Sequence, residues 1–114
     1  MSQTALISSE QRLAGNRVLL LLRGDLDYDT APYARVAVAE AQGRTRELVI
    51  DLSGVERADA FGLAVVLTAW HAGPRAGCRV RVVKASRSVQ RAWCSAKMLR
   101  PLGRLASPSH AHAA

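Results

Sequence analysis

Four aspartates are the residues of this chain whose types and spacing could support catalysis. Asp25, Asp27 and Asp29 alternate along one short stretch, and Asp59 follows well behind them. Paired carboxylates can act as general acid and base, or they can bind a magnesium ion. However, no histidine accompanies them in a recognisable motif, and the chain contains neither a G-x-G-x-x-G nor a P-loop sequence. The residues therefore predict a protein that is not an enzyme and that binds no cofactor.

The cysteines and histidines form no metal-binding pattern. Cys78 and Cys94 lack the spacing of a zinc site, so we expect two free thiols. His110 and His112 stand in a Ser/Ala/Pro-rich end, and His71 is isolated in the sequence. We expect no metal site.

Charge is distributed unevenly along the chain. Residues 1–59 contain seven Arg and nine Asp or Glu, whereas residues 60–114 contain nine Lys or Arg and no acidic residue. The whole chain carries a formal net charge of +7. Such a basic half suits an acidic partner, or it is simply a solvated surface. Because the cations are scattered and no aromatic residues are interleaved with them for stacking, we expect no nucleic-acid binding.

Length and hydropathy indicate one soluble domain. The chain has 114 residues, 49% of them hydrophobic, which suffices for one core. The apolar run Val18–Leu22 is far short of the ~20 residues of a membrane helix. The N-terminus lacks the basic flank and apolar stretch of a signal peptide. We expect a single domain over residues 1–105 in the cytoplasm, without membrane insertion, followed by a disordered tail over 106–114; a homodimer is left open.

Strands and helices must position the aspartates. The patterns predict strands over 4–8, 17–23, 47–52 and 79–84, the second of them buried on both faces and ended by Gly24. A turn is predicted at Ser53-Gly54. Helices are predicted from Ala31 to Gln42, from Asp59 to Gly73, and after Ser86 or Ser88. The order β-β-α-β-α-β-α predicts an α/β fold, in which helices pack on a mixed, partly parallel sheet.

Spacing also predicts which helical residues face the sheet. Asp29 or Thr30 is expected to cap the first helix and Asp59 the second, whereas Asp27 lies too far before its helix for capping, so a site role and a structural role stay open for it. The predicted inner faces are Tyr33, Val36, Ala37 and Ala41 in the first helix, Leu63, Val66, Leu67 and Trp70 in the second, and Val89, Ala92, Trp93 and Ala96 in the third.

Three segments together resemble the STAS domain, in particular the bacterial anti-sigma factor antagonists. That family shows G-E-L-D-x-x-T-A, then D-L-S-x-V at a strand end, then D-S-S-G-L at the start of a helix. The resemblance covers roughly Val18 to Leu102. The matching segments of this chain are Gly24–Ala31, Val49–Val55 and Asp59–Leu63.

The resemblance implies a STAS-like fold and a regulatory function. An antagonist of this family binds an anti-sigma factor that is also a serine kinase, and the kinase abolishes binding by phosphorylating the first serine of D-S-S-G. A phosphate is tolerated at the start of a helix, and its charge near −2 alters the docking surface. The residues that the resemblance assigns to partner binding are Asp25, Asp27, Tyr28, Asp59, Ala60, Phe61 and Gly62.

The chain departs from the family pattern at the switch itself. Ala60 stands where the phosphorylated serine is expected, and Phe61 replaces the second serine. Because alanine has no hydroxyl, this switch cannot operate at residue 60. The chain is interpreted as a constitutive antagonist, or as an adaptor for another partner. Phe61 is expected either to anchor that partner or to fold onto the core. A further departure is Lys97, which replaces a family glycine near the end of the third helix.

Three functions follow from this pattern. The first is a regulatory module that binds an anti-sigma factor or kinase-like regulator. The second is a STAS subunit of a lipid-transport ATPase complex, whose motif region is similar (D-L-S, then D-x-x-G-L-A). The third is a small enzyme that uses the aspartates; we favour the first.

Overall fold

The computed structural model describes residues 5–96. The predicted tail and the departure at Lys97 lie outside these residues. The described elements confirm the predicted order. They are strands β1 (Leu6–Leu13), β2 (Arg17–Leu26), β3 (Glu47–Ala58) and β4 (Arg79–Val83), helices α1 (Ala31–Gln42), α2 (Ala60–Ala72) and α3 (Arg87–Ala96), and two short 3-10 turns, Ala14–Asn16 and Pro74–Ala76.

The four strands form one mixed sheet in the order β1-β2-β3-β4. The edge strand β1 runs antiparallel to β2, whereas β2, β3 and β4 are parallel neighbours. Helices α1 and α2 make the two crossovers that parallel strands require. The carboxyl ends of β2 and β3 therefore meet the starts of α1 and α2 at one end of the sheet, and the aspartate segments lie there.

The core lies between one face of the sheet and the three helices. Alternate strand residues such as Leu20, Ile50 and Val82 are at most 1% exposed and belong to one apolar cluster with residues of all three helices. The prediction that β2 is buried on both faces is wrong, because Leu19 and Leu21 on its opposite face are only half-buried. An apolar run does not by itself distinguish a strand covered on two faces from one covered on a single face.

Helix α1 packs through a different stripe from the predicted one. Tyr33 and Val36 are 72% and 56% exposed, so the predicted inner face was wrong at these positions. The stripe that packs is made mostly of alanine, which gives a weak hydrophobic signal in the sequence. The residues that face the core are Ala31, Ala34, Val38 and Ala41.

Helices α2 and α3 follow their predicted faces at the described positions, and the side chain of Ala96 lies outside the description. Leu63 and Val66 of α2 are fully buried, and Leu67 and Trp70 pack against the core. In α3, Val89 and Trp93 are buried and Ala92 is half-buried. The predicted cap is confirmed at Ser86, whose Oγ accepts a hydrogen bond from the Val89 N–H (3.2 Å).

Strands β1, β2 and β3 all extend beyond their predicted ends, and β1 reaches Leu13 instead of residue 8. β2 continues past Gly24 to Leu26, so Asp25 belongs to a strand and not to a loop. β3 continues to Ala58, and the turn predicted at Ser53-Gly54 is instead an irregularity in the pairing of the two strands. There the Asp51 carboxylate accepts a hydrogen bond from the Ser53 N–H (2.8 Å), which satisfies a donor that has left the ladder. One residue thus separates β3 from α2, whereas a loop of four residues separates β2 from α1.

Candidate docking site

Asp59 connects the start of α2 to the loop after β2. Its Oδ1 accepts a hydrogen bond from the Gly62 N–H (2.9 Å), which confirms the predicted helix cap. Its Oδ2 accepts a second bond from the Tyr28 N–H (3.1 Å). Its own N–H donates to the Leu26 carbonyl oxygen (3.2 Å). One residue therefore fixes the position of the helix start relative to the loop.

Gly62 brings α2 into direct contact with the end of β2. A Cβ at this position would clash with the Leu26 carbonyl group and would lie 2.6 Å from the Asp27 nitrogen. Glycine is thus required by the close approach of two backbones. Gly62 is buried, and its contact fixes the position of the helix start.

The loop between β2 and α1 is held by Thr30 and Asp27. The Thr30 hydroxyl donates to the Asp25 carbonyl oxygen (2.8 Å) and accepts from the Asp27 N–H (3.0 Å). The Asp27 Oδ1 accepts a bond from the Thr30 N–H (3.1 Å). Thr30 occupies the position before α1 but makes no side-chain cap bond, and Asp29 is exposed. The predicted capping of α1 by either side chain is therefore wrong, because the hydroxyl closes the preceding turn.

Asp27 and Asp59 both make hydrogen bonds that stabilise the fold. For Asp27 the sequence had left open a structural role and a role in a site. Each carboxylate accepts from backbone N–H groups. These contacts fix the junction on which the neighbouring side chains stand. Within residues 5–96 no group of three or more His, Cys, Asp or Glu residues is arranged to hold a metal ion.

An aromatic pair projects from this junction. Tyr28 and Phe61 are 67% and 62% exposed, and their rings meet edge to face with centroids 5.2 Å apart and planes at 79°. Of the two alternatives for Phe61, the structure therefore places the ring in solvent and not on the core. Such an exposed pair of large apolar rings is a feature of binding surfaces.

Ala60 lies between two grooves. One groove, of about 620 Å³, separates the starts of α1 and α2. The other, of about 590 Å³, separates the end of β3 from α3. Sequence reasoning missed both grooves, because they arise where residues of different elements meet. The first is lined by Tyr28, Asp29, Ala31, Pro32, Arg35, Ala60, Phe61 and Ala64, and the second by Glu56, Arg57, Ala58, Asp59, Ala60, Ser88, Arg91, Ala92 and Ser95.

Comparison with known proteins places the chain in a family. The family profile described as "Mlab, STAS domain" matches residues 9–98. Since this match covers most of the chain, the protein belongs to the STAS domain family.

Solved structures share the fold. An anti-sigma factor antagonist from Mycobacterium paratuberculosis is 19% identical, with a TM-score of 0.72 over 85% of this chain and 82% of that one. SpoIIAA, an anti-sigma factor antagonist in its unphosphorylated form, is 16% identical, with a TM-score of 0.64 over 83% and 84% of the two chains. SLC26A9 is 14% identical, with a TM-score of 0.65 over 77% of this chain but 17% of its own. At these identities the likeness establishes the fold alone.

Two further findings concern sequence relatives and membranes. No curated protein matches the chain in sequence. Among the helices described within residues 5–96, none combines the length and apolarity that crossing a bilayer requires.

Proposed function

We propose that this STAS domain is a regulatory module that docks permanently on a protein partner, through a surface centred on Tyr28, Ala60 and Phe61. The observation that carries the proposal is the exposed aromatic pair at the start of α2, with a groove on either side of Ala60. Aromatic side chains that become buried on binding commonly provide much of the interaction energy.

The rigidity of the junction supports this role. Asp59 and Gly62 fix the start of α2 against β2, and Thr30 closes the adjoining loop. The backbones that carry Tyr28 and Phe61 are therefore held in place before a partner arrives. A preorganised surface loses less conformational entropy on binding than a mobile one.

The absence of a hydroxyl at residue 60 supports permanent docking. Ala60 is the first residue of α2. The phosphate of a phosphoserine there would accept hydrogen bonds from free N–H groups at the helix start. It would also bring a charge near −2 next to the Asp59 carboxylate. With alanine there, phosphorylation at this position cannot control binding.

An anti-sigma factor or kinase-like regulator is the partner that we favour. The support is the STAS family membership together with a fold shared with anti-sigma factor antagonists over more than four fifths of the chain. The groove beside α1 offers an apolar wall with Arg35 and Asp29 at its rim, which suits a partner segment with apolar anchors and flanking charges.

A STAS subunit of a lipid-transport ATPase complex is the second candidate. It is favoured by the stretch from Asp59 to Ala64, which fits the D-x-x-G-L-A pattern in full. Such a subunit would use the same docking surface on an ATPase subunit, so the two candidates differ in partner and not in the residues involved.

Affinity capture from the native cells, with mass spectrometry of the bound proteins, tests both candidates. The tagged wild type should retain one dominant partner, and Phe61→Ala should lose most of it. Ile7→Ala is the matched control, because Ile7 is a similarly exposed apolar residue (56%) on β1. Recovery of an anti-sigma factor supports the first candidate, and recovery of a transport ATPase subunit supports the second. Equal retention by the wild type and Phe61→Ala contradicts the docking surface.

Residue 60 itself provides a second test. Ala60→Asp places a negative charge at the start of α2 and should weaken capture of the same partner, whereas Ala60→Ser should still bind the purified partner in the absence of ATP, when the new hydroxyl cannot be phosphorylated. Adding ATP to the wild-type complex should leave it intact. If ATP releases the partner from the wild type, docking is controlled by phosphorylation elsewhere, and the proposal of permanent docking is wrong.

A further inference from the structure

A second concave site lies at the opposite end of the sheet from the docking surface. It is a pocket of about 910 Å³ at the amino ends of the parallel strands, bounded by the turns that precede β2, β3 and β4. Four arginines line it, two from the turn before β3 and one each from β1 and the start of β4, together with one carboxylate from the start of β3. They are Arg12, Arg44, Arg46, Arg79 and Glu47.

The charges of this pocket are only partly compensated. Arg44 is paired with Glu10 (2.9 Å), and Glu47 lies 3.9 Å from Arg81. Among the salt bridges of residues 5–96, none involves the other three lining arginines, which are all exposed. These three are Arg12, Arg46 and Arg79. A concentration of unpaired guanidinium groups in a concave site attracts an anion.

The walls of the pocket are held in place by hydrogen bonds between its turns. The Thr45 hydroxyl donates to the Asn16 carbonyl oxygen (2.6 Å), and the Arg79 N–H donates to the Arg46 carbonyl oxygen (2.8 Å). Arg44 joins the turn before β3 to β1 through two bonds with Glu10 (2.9 and 3.2 Å). The arginines thus lie on a frame of turns and strand ends that are joined by hydrogen bonds.

We propose that this pocket binds a phosphate group. A guanidinium offers a planar pair of donors that matches two phosphate oxygens, so several arginines around one cavity favour this anion over a single carboxylate. The lining residues include no aromatic ring, so a nucleobase would find no stacking surface. The shared chemistry is a compact phosphate or diphosphate group, either free in solution or as part of a lipid headgroup.

Calorimetric titration of the full chain with inorganic pyrophosphate at low ionic strength tests the proposal. We expect saturable binding at one site. Arg46→Gln combined with Arg79→Gln should weaken it at least about tenfold, because each removes a charge-assisted hydrogen bond. Arg87→Gln combined with Arg91→Gln is the matched control, since it removes the same charge from exposed positions of α3. It should change the affinity less than about threefold, as general attraction to a cationic protein depends on total charge.

Vesicles distinguish the two sources of phosphate. Cosedimentation with vesicles of phosphatidylglycerol in phosphatidylcholine, lost in the pocket variant but kept in the control variant, assigns a lipid headgroup. Pyrophosphate binding without vesicle binding assigns a free phosphate compound. If neither probe binds, or if both double variants weaken binding equally, the proposal is overturned.

Two further variants keep the outcome interpretable. Circular dichroism and urea unfolding establish that the pocket variant is folded, and Arg12→Gln offers a milder change in the same pocket should it unfold. Phe61→Ala should bind pyrophosphate as the wild type does, because it changes only the opposite end of the sheet. Failure of the docking surface and failure of the pocket are thereby separated.

Discussion

Gly62 lies directly against the backbone of Leu26, with no room for a side chain between them. This contact seats the first turn of α2 on the last residue of β2. It also explains why Tyr28 and Phe61, which are far apart in the sequence, meet as an aromatic pair. The positions of these two rings therefore depend on a buried glycine.

Gly62→Ala should destabilise the fold by about 2 kcal/mol, since the new methyl group forces the helix and strand apart. The free energy of unfolding in urea measures this. Gly43→Ala is the control, because a Cβ there has ordinary contacts (3.4 Å) and the backbone is helical (φ −69°). It should stabilise by a few tenths to about 1 kcal/mol. An equal loss in both variants would show that the contact with Leu26 is not tight.

Asp59→Ala should cost about 1 to 2 kcal/mol, because it removes the cap of α2 and the bond to the Tyr28 N–H. Asp59→Asn retains one carbonyl oxygen as acceptor, so it should preserve the cap and lose the bond to Tyr28. Urea unfolding gives the stability, and amide hydrogen exchange reports Tyr28 and Gly62 separately. Unchanged exchange at both amides in Asp59→Ala would contradict the bridging role.

Thr30→Val should lower the free energy of unfolding by about 1 to 3 kcal/mol. Thr30 is 3% exposed, and valine has its shape but leaves the Asp25 carbonyl and the Asp27 N–H without their partner. Thr30→Ser, which keeps the hydroxyl, should retain the hydrogen bonds and lose only the packing of one methyl group. If valine proves as stable as threonine, the hydroxyl does not hold the loop.

The element order, the mixed sheet and the faces of α2 and α3 were predictable, since they depend on periodicity and on chain breaks that are local in sequence. The face of α1 was not, because its alanines give a weak hydrophobic stripe while Tyr33 and Val36 give a misleading one. The ends of β2 and β3 were also missed. Their extension depends on pairing with each other, which no single segment of sequence reveals.

Some features of the candidate site could likewise be predicted from the sequence, and others could not. The position of Asp59 before a helix predicted its cap, and the family resemblance directed attention to Ala60 and Phe61. The exposure of the Tyr28–Phe61 pair could not be predicted, because it depends on how two distant segments pack. The arginine pocket was hidden for a similar reason. The sequence assigns the basic charge to the second half, whereas Arg12, Arg44 and Arg46 come from the first half and meet Arg79 only in the fold.

The two cysteines should differ sharply in reactivity. Cys78 is buried, and burial raises the pKa of its thiol, whereas Cys94 is exposed. A disulfide exchange reagent acts on the thiolate, so the folded protein should titrate as one fast thiol and the unfolded protein as two. Cys94→Ser should lose the fast thiol, and Cys78→Ala should keep it. Two fast thiols in the folded wild type would contradict the burial of Cys78.

The same pKa shift predicts a dependence of stability on pH. In the unfolded chain the Cys78 thiol ionises near its ordinary pKa of about 8.5, whereas the folded protein holds the proton to higher pH. Above that pH the unfolded state binds fewer protons, so the contribution of this group to stability is complete at lower pH and declines as the pH rises. Urea unfolding between neutral and alkaline pH should therefore show a steeper loss for the wild type than for Cys78→Ala. Identical slopes would show that the thiol is not desolvated by the fold.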